Sequence, residues 1–189
     1  MFSTLRQDLS FNRAQVLGLS LGFAFVVWSA VSVTTGERLG FSLAFGAVLV
    51  VLSVIDARRF VLPNPLTALV AGLGVAMTVR LTPDQWLHHL IGGVAGFLAL
   101  VAIEKAFKAL RGVDGLGRGD AKLAGAIGVW VTWLGLPSLF LYASFAGLIF
   151  GIAGVAFGRS ARAPLPFGPF IAMGGWGVWL VGPLGIAGS

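Results

Sequence analysis

Long apolar runs separated by short polar stretches dominate the sequence. An α-helix needs about 20 residues to cross the hydrocarbon core of a membrane, and runs near this length predict seven segments. We place them at residues 14–33, 40–56, 66–81, 87–107, 121–136, 137–157 and 169–187. Only Gly135-Leu136-Pro137 separates the fifth segment from the sixth, so six helices are an alternative. The pattern predicts an all-α transmembrane helical bundle of six to seven helices.

The first apolar run follows Arg6 and Arg13. It is longer than the apolar core of a secretory signal peptide, and no obvious small-residue cleavage site accompanies it. We therefore interpret this run as a retained helix, preceded by a cytoplasmic tail at residues 1–13. Residues 14–189 are then expected to form a single membrane-embedded domain.

The composition supports a membrane location. The chain has 57% hydrophobic and 11% charged residues, whereas soluble domains carry about 25% charged residues. The net charge is +6, but the basic residues lie in short groups between apolar runs, which argues against binding to nucleic acid. The absence of cysteine excludes a disulfide framework, a thiolate zinc cluster and a cysteine nucleophile.

The basic residues also predict the orientation. If the N-terminus is cytoplasmic, seven crossings leave only Arg38 and Arg80 of the thirteen Lys and Arg residues outside. Such an imbalance is the positive-inside pattern of multi-pass proteins. The residues on the cytoplasmic side are Arg6, Arg13, Arg58, Arg59, Lys105, Lys108, Arg111, Arg118, Lys122, Arg159 and Arg162.

Two of the seven acidic residues, Asp56 and Asp120, lie at predicted helix ends on this cytoplasmic side. Ionisable groups at membrane depth are costly, so each suggests a function, and each is the natural partner of the other. Two neighbouring carboxylates share a proton because both cannot ionise cheaply. One then activates water while the other polarises a carbonyl oxygen. The pair therefore predicts peptide hydrolysis without a metal or another cofactor.

Structural roles are alternatives for both aspartates. Asp120 could be the N-cap of its helix, and Asp56 could pair with Arg58 or Arg59. Outside this pair, Glu104 is interpreted as part of a charge cluster at a helix end. The His88-His89 pair is predicted on the outer side, where an interfacial location is favoured over metal binding.

Glycines also recur at one-turn spacing inside the apolar runs, where the missing side chains let helices approach closely. We expect them to mediate helix packing. They are Gly18 and Gly22, Gly92 and Gly96, and Gly147, Gly151 and Gly154.

Three motifs occur in one order along the chain. Asp56 is followed seven residues later by Pro63 and then by Asn64, residues 117–120 read Gly-Arg-Gly-Asp, and residues 166–170 read Pro-Phe-Gly-Pro-Phe. Together they resemble the signatures of the type IV prepilin peptidases, which are membrane aspartic proteases of the GxGD type. The resemblance covers the chain from about residue 14.

The resemblance implies cleavage of a short basic leader from prepilins or type II secretion pseudopilins. Cleavage would take place at the cytoplasmic face of a bacterial inner membrane, after a glycine that precedes a hydrophobic helix. Asp56 and Asp120 match the catalytic pair of the family, and Gly117 and Gly119 match its motif glycines. Lys122 matches a family lysine, which either favours the ionised form of Asp120 or anchors the loop at the membrane surface.

One departure affects the predicted activity. Many members of this family carry two Cys-x-x-Cys pairs in a cytoplasmic region after the first helix, and they also N-methylate the new N-terminus. This chain lacks the corresponding loop and has no cysteine, so we predict a peptidase-only form. A small transporter or assembly scaffold that uses the aspartates as a proton or cation site is an alternative, as is a related GxGD protease with another class of membrane peptide as substrate. The oligomeric state is not indicated.

Overall fold

The computed structural model describes residues 13–112, 117–160 and 163–185, which form six α-helices and no strand. They are α1 Arg13–Val33, α2 Gly36–Arg59, α3 Asn64–Leu81, α4 Trp86–Arg111, α5 Arg118–Ala156 and α6 Gly168–Val181. Helices α2 to α5 are long and apolar enough to cross a membrane, and α1 and α6 contribute shorter apolar helices. The prediction of an all-α, multi-pass membrane bundle is confirmed. The predicted tail lies outside the described residues, except for Arg13.

Helix α5 is interrupted at Thr132. Its 39 residues would span about 58 Å as one straight helix, nearly twice the thickness of the hydrocarbon core. Thr132 has φ 61° and ψ 177°, a combination found almost only in glycine. The backbone therefore breaks between a first half, residues 118–131, and a second half, residues 133–156.

The two halves of α5 run in opposite directions along α6. Along the first half of α5, the contacting residues of α6 increase in residue number, and along the second half they decrease. In the order of α5, the contacts are Ile127 with Gly175, Trp130 with Trp179, Gly135 with Val178, Ala143 with Gly174 and Gly147 with Phe170. The described chain thus contains seven helical segments, as the apolar pattern indicated. The predicted boundary at Gly135-Leu136-Pro137 was wrong, because the chain turns at Thr132 and Pro137 lies inside the second half.

The strained turn at Thr132 gives a prediction for stability. Glycine adopts this backbone conformation without steric cost, whereas alanine keeps the clash of its Cβ. We expect Thr132→Gly to exceed Thr132→Ala in unfolding free energy by about 1 kcal/mol. The two variants lack the same hydroxyl, so their thermal unfolding in detergent isolates the backbone contribution. Equal melting temperatures of the two variants would show that the backbone at residue 132 is not strained.

Glycines join α4 tightly to the first half of α5. A Cβ on Gly92 would clash with the carbonyl oxygen of Gly128, and a Cβ on Gly96 would lie 2.7 Å from that of Ala124. The packing role predicted for these two glycines is confirmed. Gly22 and Gly147 also face neighbouring side chains, and Gly154 faces only Arg159. The prediction was wrong for Gly18 and Gly151, which have open space beside them.

His89 helps to fix the turn between the halves of α5. Its side chain is buried, and Nδ1 lies 2.7 Å from the carbonyl oxygen of Val129, so this nitrogen is the donor. Nε2 lies 3.0 Å from the hydroxyl of Thr82, and in the neutral ring it accepts that proton. His89 lies in the first turn of α4 but is enclosed by packing, and its interfacial location stays a prediction.

Candidate active site

Asp56 lies in the last turn of α2, and only 5% of its surface is exposed. Its Oδ2 accepts a hydrogen bond of 3.0 Å from the backbone N–H of Gly168. Gly168 is the first residue of α6, and N–H groups at a helix start have no partner within their own helix. The carboxylate of one helix therefore satisfies the free donor of another, which fixes the direction of its side chain.

The residue that contacts Asp56 has no room for a side chain. A Cβ on Gly168 would lie 2.7 Å from Oδ2 and 3.0 Å from Cγ of Asp56. Only glycine lets the start of α6 approach the carboxylate this closely. The Pro-Phe-Gly-Pro-Phe segment thus has a physical role: it brings a backbone donor to Asp56.

Asp120 lies at the third position of α5, and its side chain is partly buried. Its Oδ2 accepts a hydrogen bond of 3.3 Å from the backbone N–H of Gly117. Gly117 is the N-cap residue, so the alternative that placed Asp120 at the N-cap was wrong. The carboxylate instead accepts the backbone N–H of the N-cap residue, in the manner of the acidic residue of a capping box.

Two contacts join the segment after Asp56 to the segment around Asp120. A Cβ on Gly119 would lie 3.2 Å from Cβ of Leu62, so this glycine lets the two chain segments pack closely. Lys122 Nζ donates a hydrogen bond of 2.8 Å to Oδ1 of Asn64. The Pro63-Asn64 motif and the GxGD motif therefore form one unit.

Both carboxylates line a single cavity of about 310 Å³, and they are close enough to interact electrostatically. Phe60, at the rim, has φ 52°, a left-handed conformation that is uncommon outside glycine. The lining residues are Asp56, Phe60, Val61, Leu62, Asn64, Gly117, Arg118, Gly119, Asp120 and Lys122. The cavity thus brings together the two predicted aspartates, both motif glycines, Asn64 and Lys122, while Pro63 starts α3 beside it.

The contact between Lys122 and Asn64 gives a second prediction for stability. In a double-mutant cycle with Asn64→Leu and Lys122→Met, we expect a coupling free energy of about 0.5 kcal/mol, since the pair is exposed. Asn64→Asp keeps an oxygen acceptor opposite the ammonium group, so it should retain the coupling. Unfolding in detergent measures all the variants. Additive effects of the two substitutions would contradict a direct contact.

The other charged groups singled out in the sequence lie elsewhere. Glu104, Lys105 and Lys108 line a separate cavity beside the site, together with Arg118 and Lys122, as expected for a helix-end charge cluster. Within the described part of the chain, no group of three or more His, Cys, Asp or Glu side chains could hold a metal ion.

Comparison with known proteins places this arrangement in a family. The family described as "Type IV leader peptidase family" matches residues 43–152, more than half of the chain. The chain belongs to the type IV leader peptidase family. The matched residues include both aspartates, the GxGD motif and the contact between Asn64 and Lys122. The match ends before Gly168.

Individual relatives agree with this assignment. The chain is 41% identical over 135 residues to the "Prepilin leader peptidase/N-methyltransferase" of Burkholderia pseudomallei strain 1026b, covering 70% of this chain and 44% of the relative. Proteins of the same name match in Aeromonas salmonicida strain A449 (36%, covering 78% and 51%) and Dickeya chrysanthemi (37%, covering 84% and 54%). The chain spans about half the length of these curated relatives. No solved structure gives a significant match.

Sequence reasoning missed Gly168 as a residue of the site. The signal was present, because a Gly-Pro pair at a predicted helix start lies on the same side as the aspartates. The motif was noted only as a family signature, and the sequence did not show which residue its backbone N–H would contact.

Proposed function

We propose that the chain is an aspartic endopeptidase that removes the basic leader from prepilins or type II secretion pseudopilins. The observation that carries the proposal is the single cavity shared by Asp56 and Asp120. The family membership and the printed names of the relatives support the same activity. The N-methyltransferase activity in those names is not part of the proposal, and a peptidase-only form stays a prediction.

In the proposed mechanism, the two carboxylates hold one proton between them and act as a unit. The ionised carboxylate takes a proton from a water molecule as the water oxygen attacks the scissile carbonyl carbon. The protonated carboxyl group donates a hydrogen bond to the carbonyl oxygen and stabilises the developing negative charge. Collapse of the tetrahedral intermediate breaks the C–N bond, and a carboxyl proton moves to the leaving amine.

Gly168 has a defined part in this mechanism. Its N–H is hydrogen-bonded to Oδ2 of Asp56, and we assign Oδ1 the contact with water or substrate. The aspartate therefore does not have to lose rotational freedom when the substrate binds, which is the advantage of a preorganised group.

The proposed location is a bacterial inner membrane, with the site at the cytoplasmic face. Lys105, Lys108, Arg118 and Lys122 lie around the site, whereas Arg80 pairs with Glu37 at the other end of the bundle. An excess of Lys and Arg at one end supports a cytoplasmic orientation for that end. The scissile bond of a substrate would then meet the two carboxylates at the membrane surface.

The test is cleavage of defined substrates by the purified chain in detergent. A panel of prepilins and pseudopilins is incubated with the protein, and mass spectrometry maps each new N-terminus. We expect one cut, directly after the glycine that precedes the apolar helix. No cleavage of any member by folded protein would overturn the proposal. A cut within the apolar helix would instead indicate a GxGD protease with a different class of substrate.

A further inference from the structure

A lateral groove of about 500 Å³ opens between α3 and α4, with the first half of α5 as its floor. The groove exists because α3 and α4 make few contacts with each other, although both pack on α5. The residues that line it are Asn64, Thr67, Ala68, Ala71, Leu90, Gly93, Val94, Phe97, Lys122, Gly125, Ala126 and Val129. All but three of them are apolar, and many are small.

The lateral groove is continuous with the candidate active site. Asn64 and Lys122, which share a hydrogen bond, line both the groove and the cavity of the two carboxylates. From this pair the groove follows α3 toward the opposite end of the bundle. A molecule in the groove therefore has one end beside Asp56 and Asp120 and the rest within the apolar part of the bundle.

A second groove provides a comparison. It lies between α1, α2 and α6, has a volume of about 410 Å³, and includes Leu21 and Met173 in its lining. None of its lining residues belongs to the cavity of the carboxylates. Its α1 and α6 walls also lie outside residues 43–152, whereas every residue of the lateral groove lies within this family match. If the substrate site is common to the family, the lateral groove is therefore the better candidate for it.

We infer that the lateral groove binds the apolar helix that follows the scissile bond of the substrate. The inference rests on the proposed function, which requires a substrate with such a helix directly after the cleavage site. A helix with its side chains is about 10–12 Å wide, so the groove holds one face and leaves the other to lipid. Ala68, Ala71 and Gly93 give the space for close approach, as small residues do between membrane helices.

The charge at the mouth of the groove sets the direction of the substrate. Lys122 also lines the cavity that holds Lys105, Lys108 and Arg118, together with a single acid, Glu104. This basic surface repels a basic leader. The leader therefore extends away from it into solvent, the apolar helix enters the groove, and the peptide bond between them lies beside the two carboxylates.

Disulfide cross-linking tests the groove directly, because the chain contains no cysteine of its own. Ala68→Cys places a thiol in the lateral groove four residues after Asn64, and Met173→Cys places one in the second groove five residues after Gly168. Both are combined with Asp120→Asn to block turnover. The probe is a prepilin-like peptide with a basic leader, a glycine, an apolar helix and one cysteine five residues after the glycine.

We expect at least tenfold more cross-linked product with Ala68→Cys than with Met173→Cys under mild oxidation. An equal or larger yield at Met173 would overturn the inference, and so would background yields at both positions, which would mean that lipid fills the groove. The cysteine-free chain is assayed on the same peptide in parallel. If it cleaves the peptide and Ala68→Cys does not cross-link, only the groove assignment fails. If it does not cleave, the proposed function fails, and the inference fails with it.

A groove-filling variant gives an independent measurement. Ala71→Phe is expected to raise KM at least tenfold for the helical peptide, while KM for a short peptide that ends soon after the glycine stays unchanged. The short peptide also reports that the variant is folded. Leu69→Phe, on an exposed face outside the groove, serves as the control and should change neither KM. Equal KM values for Ala71→Phe and the unmodified chain would overturn the inference.

Discussion

Asp56→Asn and Asp120→Asn are each expected to lower the rate of leader cleavage by about a thousandfold or more. Each substitution keeps the size of the side chain and removes a carboxyl group that has to exchange a proton during the reaction. General acid–base catalysis contributes about 10²- to 10⁴-fold to enzymatic rates, and the proposed mechanism requires both carboxyl groups. The measurement is the initial rate of product formation from a purified prepilin.

Asp84→Asn is the matched control for these two variants. Asp84 is exposed and lies in the short turn before α4, at the end of the bundle away from the site. We expect it to cleave at the rate of the unmodified chain, and all three variants should insert and melt normally. Retained cleavage in either site variant would contradict the proposed mechanism. The transporter alternative makes a different prediction. The unmodified chain would transport protons or cations without cleaving any leader, and the two site variants would lose this transport.

We expect Gly168→Ala to lower kcat by about a hundredfold, the loss expected when a reacting group moves by about 1 Å. The new Cβ would lie 2.7 Å from Oδ2 of Asp56, so either the carboxylate rotates or the start of α6 retreats. Both movements break the hydrogen bond that orients Asp56. KM should change much less, because Gly168 is not among the residues that line the site cavity or the lateral groove.

Gly177→Ala, in the same helix, separates this effect from a general loss of packing. A Cβ on Gly177 would meet Tyr142 at 3.8 Å, an ordinary contact. We expect normal kcat and a normal melting temperature for this variant. If Gly168→Ala also cleaves at the normal rate, then the hydrogen bond from α6 does not control the position of Asp56.

The apolar pattern predicted the helices because membrane crossing requires a minimum length of apolar chain. It could not locate the turn within α5. Residues 121–157 form a nearly continuous apolar stretch, and the turn falls at Thr132 rather than at a glycine. Pro137 lies five residues after this turn, inside the second half, so the proline indicated the region of the turn but not its position.

The candidate site was predictable in part for a different reason. Asp56 and Asp120 lie at the same end of the bundle because two helices, α3 and α4, separate them along the chain, so counting helices was sufficient. The contact between Gly168 and Asp56 spans 112 residues, and that between Lys122 and Asn64 spans 58. Neither helix periodicity nor charge counting specifies which side chains meet across such separations. The tertiary packing of α2, α3, α5 and α6 determines these two contacts.

The close packing of α4 against α5 affects how the bundle opens. With Gly92 and Gly96 pressed against backbone atoms of the first half of α5, these two helices have little freedom to separate or slide. Helix α3 packs much less closely against α4, and its first residue is Asn64. If a substrate helix widens the lateral groove, we therefore expect α3 rather than α4 to move. Because Asn64 accepts a hydrogen bond from Lys122, two residues after Asp120, such a movement of α3 would be transmitted to the first turn of α5.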